Sequence, residues 1–379
     1  MDYTGGFVLP LAIGFGTAVV GTGSIVPAGS GTLTLTSANS SSPSTPIVID
    51  LSPAVPSTSS TSWTNYVTGV VVEYMKDLAP SNLTLSLTIS ISGNVPLGSG
   101  LSSSASLEVA VGRFIEEVFA ASDHADLLYT ACARHPAIGI SRAIRTQNAE
   151  NTFCSSPCGI MDQFISSCGL PHSLLLIDCL SNTFKPVPMH GDDVSLIVAN
   201  SNVTHSISGG EYPKRVVQCQ TATEVVAKGS GVDTLRHCTM AHLEAKKGEL
   251  DDVTYRRALH VIGENERTNK TVEALSRGDY ATVGKLMTES HESLDKNFEV
   301  TCPELNILHK ISLAYEGDGV LGARMTGGGF GGCVITLVKK GTEGKIMEWI
   351  ENEYREKSGG VECKPFASTA CEGATGGAL

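Results

Sequence analysis

The chain has 379 residues, 41% of them hydrophobic and 17% charged, which is enough apolar content for a packed core and, at about 150 residues per domain, room for two domains. Lys and Arg number 27 against 39 Asp and Glu, a formal charge of -12; this excludes a general affinity for nucleic acid or an anionic membrane and leaves a small solute as the expected partner. The 11 cysteines are odd in number and scattered, without a CxxC or Cys/His cluster, so neither a disulfide framework nor a zinc site is indicated and a reducing, cytoplasmic setting is expected.

From Gly5 to Val20 the chain is apolar but broken by Gly5, Gly6, Pro10, Gly14 and Gly16, without a positive flank. Strands and turns are expected there, not a signal peptide or a membrane span. Ser52 to Ser62 is almost all Ser, Thr, Pro and Ala and reads as an exposed loop. The clearest strand comes next: Leu85, Leu87, Ile89 and Ile91 alternate with Thr84, Ser86, Thr88 and Ser90, the period of a half-buried strand. A turn at Gly98-Ser99-Gly100 then feeds a segment in which Leu107, Ala110, Val111, Phe114 and Ile115 have helical spacing.

Further along, Pro157 and Gly159 can open a helix with Asp162 in its first turn, where the helix dipole stabilises an acid. Cys154 and Cys158 are read as buried thiols. Leu174 to Ile177 and Leu196 to Ala199 read as short buried strands, with a break at Asn200-Ser201-Asn202. A boundary near residue 190 would divide an N-terminal domain, 1–190, from a C-terminal one, 191–379. The next hundred residues or so are mainly helical in pattern, and Gly327-Gly328-Gly329-Phe330-Gly331-Gly332 precedes the apolar run Cys333 to Val338, a second glycine loop feeding a strand. Strands and helices without a regular βαβ rhythm indicate an α+β chain.

Three strings carry chemistry. In Pro96-Leu97-Gly98-Ser99-Gly100-Leu101-Ser102-Ser103-Ser104-Ala105-Ser106 the glycines allow close backbone approach, and a helix N-terminus follows with unpaired N–H groups that suit phosphate. Its hydroxyls offer donors and a Mg²⁺ ligand; no lysine follows, so it is not a P-loop of the GxxxxGK[ST] kind. The second string is Pro157-Cys158-Gly159-Ile160-Met161-Asp162-Gln163-Phe164, and the third is Arg324-Met325-Thr326 with the glycines up to Gly332 and Cys333, a glycine density whose entropic cost argues for a purpose.

The first string resembles the phosphate loop of the GHMP small-molecule kinases, and in its PLGSGLSSSAS form that of the galactokinases. The second is similar to that family's catalytic-aspartate motif and the third to its last motif. The resemblance implies a two-domain α+β architecture with the active site in the cleft between domains, and transfer of the γ-phosphate of ATP to the anomeric hydroxyl of galactose. It implies Asp162 as the base, Gly159 as a backbone contact to the sugar, and Ser104 with Glu150 as ligands of Mg²⁺. It implies nucleotide contacts from Pro96, Gly98, Ser99, Gly100, Leu101, Ser102, Ser103, Ser104 and Ala105, and from Gly327, Gly328 and Gly329. Asn202, Ser206, Glu211, Tyr212 and Pro213 match the segment that supplies a sugar-binding tyrosine, here Tyr212. Trp63-Thr64-Asn65-Tyr66 resembles the adenine-side segment, although Trp63 and Tyr66 fit core packing equally well.

The family's first motif, GRxNLIGEHTDYxxG, is met only at its tail, Asp2-Tyr3-Thr4-Gly5-Gly6, with Met1 in the place of the threonine. Asp2 matches the sugar-binding aspartate, whereas the arginine, glutamate and histidine before it have no counterpart. The reading is of a sequence truncated at its start, which leaves the activity of this exact chain open. A kinase for N-acetylgalactosamine or arabinose, and a non-catalytic sensor of sugar and ATP, share these motifs and stand as alternatives. The implied partners are a sugar and ATP, without nucleic acid or membrane, for a monomer.

Overall fold

A computed structural model describes residues 1–40, 45–52, 55, 62–132, 138–189, 193–204, 211–229 and 231–377. In chain order, β1 (Phe7–Val8) precedes β2 (Thr17–Pro27), β3 (Thr32–Ser37), β4 (Ile47–Asp50), α1 (Thr64–Leu78) and β5 (Leu83–Gly93). Helices α2 (Ser103–Ala120), α3 (Ala125–Cys132), α4 (Ile138–Phe153) and α5 (Met161–Cys168) follow. Then come β6 (Ser173–Asp178), β7 (Thr183–Pro188) and β8 (Val194–Thr204). The helices α6 (Glu211–Val226), α7 (Met240–Ala245), α8 (Asp252–Ser276), α9 (Tyr280–Ser293) and α10 (Pro303–Leu313) lead to β9 (Val320–Thr326) and β10 (Gly331–Lys339). The chain closes with α11 (Glu343–Lys357) and β11 (Phe366–Ser368). Most of the Ser/Thr/Pro stretch read as a loop between Ser52 and Ser62 lies outside the described residues.

These elements form two compact units, each assembled from separated stretches of chain. The larger comprises Met1–Gly14, Pro96–Leu101 and Leu170–Cys371; the smaller comprises Phe15–Val95, Ser102–Gly169 and Glu372–Leu379. A linear boundary near residue 190 describes sequence order, and this clustering describes space.

The smaller unit is built on a mixed sheet in the order β2-β5-β3-β4. Central β5 pairs antiparallel with β2 and parallel with β3, Leu87 lying beside Leu33. Its alternation holds on the apolar side, where Leu85, Leu87, Ile89 and Ile91 are buried, and on the polar side from Thr88 on, where Thr88 and Ser90 face solvent; at the start of the strand Thr84 is buried and Ser86 half-buried. On α1, Val67, Val70, Val71, Tyr74 and Leu78 recur at helical spacing and close over that apolar face together with Val111, Ile115 and Phe119 of α2. On α2 the buried stripe departs from the expected one. Ala110 and Phe114 are only half-buried, whereas Glu108 and Glu116 are enclosed. Glu116 is held there by a two-pronged ion pair with Arg142 of α4, Nε to Oε1 at 3.0 Å and Nη2 to Oε2 at 2.5 Å, and by the Tyr74 hydroxyl at 2.8 Å.

The larger unit holds an antiparallel sheet in the order β11-β8-β10-β9 and a smaller one in the order β1-β6-β7. The short strands read at 174–177 and 196–199 lie within β6 and β8. The break expected at Asn200-Ser201-Asn202 is instead a bulge inside β8: the pairing with β10 shifts between Gly331 and Cys333, and Asn202 takes φ +53°. An asparagine tolerates that left-handed backbone, so a turn residue serves here to bend a strand rather than to end it. Ile197, Ala199, Val334 and Val338 of this sheet pack with Leu305, Leu308 and Ile311 of α10 and with Ile346, Ile350 and Tyr354 of α11. Among the described residues no helix is long and apolar enough to cross a membrane.

Candidate active site

In the smaller unit, three helices bring together residues that the sequence places far apart. Ser104 stands in the first turn of α2, Glu150 near the end of α4, and Asp162 in the first turn of α5, as the Pro157/Gly159 opening predicts. The Ser104 side chain is close enough to the Glu150 carboxylate to favour its charged form. Oε2 of Glu150 also accepts from Gln163 Nε2 at 2.7 Å and from the Cys158 thiol at 3.5 Å. The same Gln163 nitrogen donates to Glu108 Oε2 at 3.1 Å. Gly159 is buried just before α5, and Asp162 is half-buried.

This junction concentrates acids where water is scarce. Burial pushes the Glu108 carboxyl well above the usual range, and the charge of Glu150, then that of Asp162, adds to the effect. Burial also raises Glu150, against the opposing influence of the neighbouring Cys158, Ser104, Gln163 and Glu108. Partial burial raises the Cys154 thiol to about 12 and pushes up that of Cys158, with Glu108 and Glu150 contributing to both; both thiols are protonated, and they are half-buried rather than fully buried as expected. Tyr66, in the first turn of α1, has its hydroxyl raised to about 12 by burial and then by the neighbouring Cys154, Glu150, Glu108 and Cys158. Tyr66 therefore borders the acidic junction, whereas Trp63 packs on the core of the sheet.

A carboxylate and a hydroxyl are hard oxygen donors, and a cluster of acids is relieved by a cation. Among the described residues no group of three or more His, Cys, Asp or Glu side chains is arranged to hold a metal. That donor set fits Mg²⁺, which takes one or two carboxylates and completes its shell with water and substrate phosphates. It does not fit zinc.

In the larger unit the two glycine loops lie backbone to backbone. Gly100 and Gly327 adopt φ +73° and +82°, and a Cβ on Gly327 would stand 2.8 Å from the Gly100 carbonyl oxygen. A Cβ on Gly332 would meet the Ser99 carbonyl oxygen at the same distance. Side chains at these points would separate the loops, which explains the glycines physically. The Ser99 hydroxyl is used inside the loop, donating to the Pro96 carbonyl at 2.7 Å, whereas Gly328 has open space around its Cα. The chain then enters α2 through Ser102, whose left-handed backbone provides no side-chain cap. The first N–H groups of α2, at Ser103, Ser104 and Ala105, thus begin without the usual capping oxygen.

Asp2 opens a short 3-10 turn, Asp2–Thr4, and accepts from the Tyr3 N–H at 2.9 Å. That turn is braced by Arg236, which donates to the Gly5 carbonyl at 3.2 Å, pairs with Asp178 and stacks 4.1 Å over the Phe7 ring. The Arg236 guanidinium holds the Asp178 carboxyl down to about 2. Burial, with the charge of Asp2, raises the Cys179 thiol to about 12. The Tyr212 backbone lies in the first turn of α6; its side chain and Ser206 fall outside the described residues. Sequence reasoning missed Glu108, Gln163 and Arg236. For Glu108 a signal existed, because it falls on the buried side of α2 with Val111, Gly112 and Ile115; the other two depend on partners 13 and 58 positions away.

Glycine loops packed for close approach, a helix N-terminus after one of them, and a hydroxyl and carboxylate pair beside a half-buried aspartate are the equipment of a small-molecule kinase. The description "GHMP kinases N terminal domain" matches residues 65–170, and "GHMP kinases C terminal" matches residues 271–355. A galactokinase of Homo sapiens is 39% identical over 98% of this chain and 87% of its own length. A galactokinase of Haemophilus influenzae is 38% identical over 98% of this chain and 90% of its own. The crystal structure of a Lactococcus lactis galactokinase complexed with galactose superposes with a TM-score of 0.85 at 28% identity, covering 99% of this chain and 90% of that one. The chain belongs to the GHMP kinase family, among its galactokinases.

Proposed function

We propose that the protein transfers the γ-phosphate of ATP to the anomeric hydroxyl of galactose, giving ADP and galactose 1-phosphate. The observation that carries this reading is the likeness to galactokinases over nearly the whole chain, one of them solved with galactose. In the proposed step the Asp162 carboxylate accepts the hydroxyl proton. The sugar oxygen bonds to the γ-phosphorus as the bond to the β,γ-bridging oxygen breaks, and ADP leaves with that electron pair. Ser104 and Glu150 would hold Mg²⁺, which when bound offsets negative charge on the phosphate oxygens. The backbone of 96–105 and of Gly327, Gly328 and Gly329 supports the nucleotide, with Trp63 and Tyr66 on the adenine side. Asp2, Gly159 and Tyr212 contact the sugar. The described cysteines are free thiols, which supports a cytoplasmic enzyme.

The test is ADP release across galactose, N-acetylgalactosamine, arabinose, glucose and no sugar. Galactose is expected to lead in kcat/KM by about tenfold or more, the discrimination available from one or two sugar hydroxyl contacts at about 1–3 kcal/mol each. A lead by N-acetylgalactosamine or arabinose would transfer the assignment to that sugar. Binding of sugar and ATP without ADP release would make the protein a sensor.

The metal assignment has its own measurement. Ser104→Ala and Glu150→Gln each remove or weaken one hard oxygen ligand, so each is expected to raise the Mg²⁺ concentration for half-maximal rate by about tenfold. Unchanged Mg²⁺ dependence in both variants would remove these residues from the metal site.

A further inference from the structure

Gln163 lies beside the proposed base in sequence yet has no part in the step described above. Its side chain is 1% exposed, on the inward side of α5, and consecutive helical residues point about 100° apart. Its amide nitrogen donates to two carboxyl groups, Glu150 of α4 at 2.7 Å and Glu108 of α2 at 3.1 Å, and also reaches the Cys158 sulfur at 3.7 Å. The amide oxygen, by contrast, is buried with no hydrogen-bond partner among the described residues. An unsatisfied buried acceptor is destabilising, so the amide is retained for what it donates.

Glu108 anchors the arrangement from the other side. It is fully enclosed, so the Gln163 amide cannot swing without abandoning a buried acid. With one hydrogen on Glu108, the other holds Oε2 of Glu150, the oxygen that also receives the Cys158 thiol. Rotation of the Glu150 carboxylate is thereby arrested.

We propose that Gln163 is the positioning residue for Glu150: its amide, anchored on Glu108, sets the orientation in which the Glu150 carboxylate meets the cation. This rests on the reading of Glu150 as a cation ligand. Groups that orient metal ligands in this way commonly change metal affinity by about 10–100-fold when removed.

The experiment compares the parent with Gln163→Met, Gln163→Asn and Glu150→Gln. Mn²⁺ binding in the presence of a non-hydrolysable ATP analogue is followed by electron paramagnetic resonance, alongside the Mg²⁺ dependence of ADP release and thermal unfolding. Gln163→Met, close in shape but without a donor, is expected to weaken Mn²⁺ by about 10–100-fold and to raise the Mg²⁺ requirement equally. Turnover at saturating Mg²⁺ should stay within a few-fold of the parent. Gln163→Asn keeps the amide but withdraws it by one methylene, and should fall between the two; if the Met variant is unfolded at the assay temperature, the Asn variant decides. Parent-like Mn²⁺ affinity in the Gln163 variants, with weakened binding in Glu150→Gln, overturns the positioning role alone. Parent-like affinity in Glu150→Gln removes the metal reading and this inference with it.

Discussion

An Asp162→Asn protein is expected to bind ATP as the parent does and to lose sugar phosphorylation by about 10³-fold, the middle to upper part of the range for removing a general base. The substitution preserves shape and removes one ionisable oxygen. Asp162 sits in the first turn of α5, so the helix dipole that favours a carboxylate there no longer has one to stabilise, and an amide cannot accept the hydroxyl proton. The glycine loops belong to the larger unit and are untouched. Glu150 and Gln163 also keep their bond. Sugar-dependent ADP release measures the loss, and calorimetric titration with ATP checks that binding persists. A variant retaining more than a few per cent of the parent rate, a barrier change of about 2 kcal/mol or less, would take the base's role away from Asp162.

The second large effect concerns stability. Glu116→Ala is expected to destabilise the smaller unit by about 3–5 kcal/mol, because it leaves the Arg142 guanidinium buried without its counter-ion. Glu116 and Arg142 are 2% and 4% exposed, so water cannot enter cheaply to replace the lost partner. The Tyr74 hydroxyl, which donates to the same carboxylate at 2.8 Å, is orphaned in the same event. Among the described residues, the bond from Arg142 to the Ser167 hydroxyl, at 3.1 Å, is what remains for that guanidinium. At roughly 2–4 °C per kcal/mol for a domain of this size, the first unfolding transition in scanning calorimetry should move down by about 10 °C. Replacing both partners with leucine should recover part of the loss, since an apolar pair removes the stranded charge along with its partner. A single Glu116→Ala shift below about 2 °C would mean that the pair is not a stabilising unit.

What the sequence determined by itself was whatever depends on near neighbours. The period-2 run through Leu85 and Ile91 requires one face of a strand to be buried, and its amphipathicity is set before any partner arrives. The glycines at 98 and 100 allow the backbone to turn into α2, and Pro157 with Gly159 allows α5 to begin where Asp162 falls in its first turn. The motif strings fixed the family for the same reason: they are continuous in sequence, and the chemistry they carry is legible without the fold.

Tertiary structure decided where long-range partners meet and which polar residues are buried. Glu108 falls on the buried side of α2 and Glu116 looks like a solvated charge, but it is the arrival of Gln163, 55 positions on, and Arg142, 26 positions on, that makes burial of both tolerable. A buried carboxyl is stable only with donors in place, and neither propensity nor periodicity reports where a donor from another helix will stand. The brace on the Asp2 turn comes from Arg236, 231 residues away from the Gly5 carbonyl that it holds. At Asn202 the local signal for a break met the pairing of β8 with β10, and the ladder's hydrogen bonds prevailed. A turn residue costs a strand one irregular pair, whereas ending β8 there would have left the backbone beyond it, up to Thr204, without its partner strand.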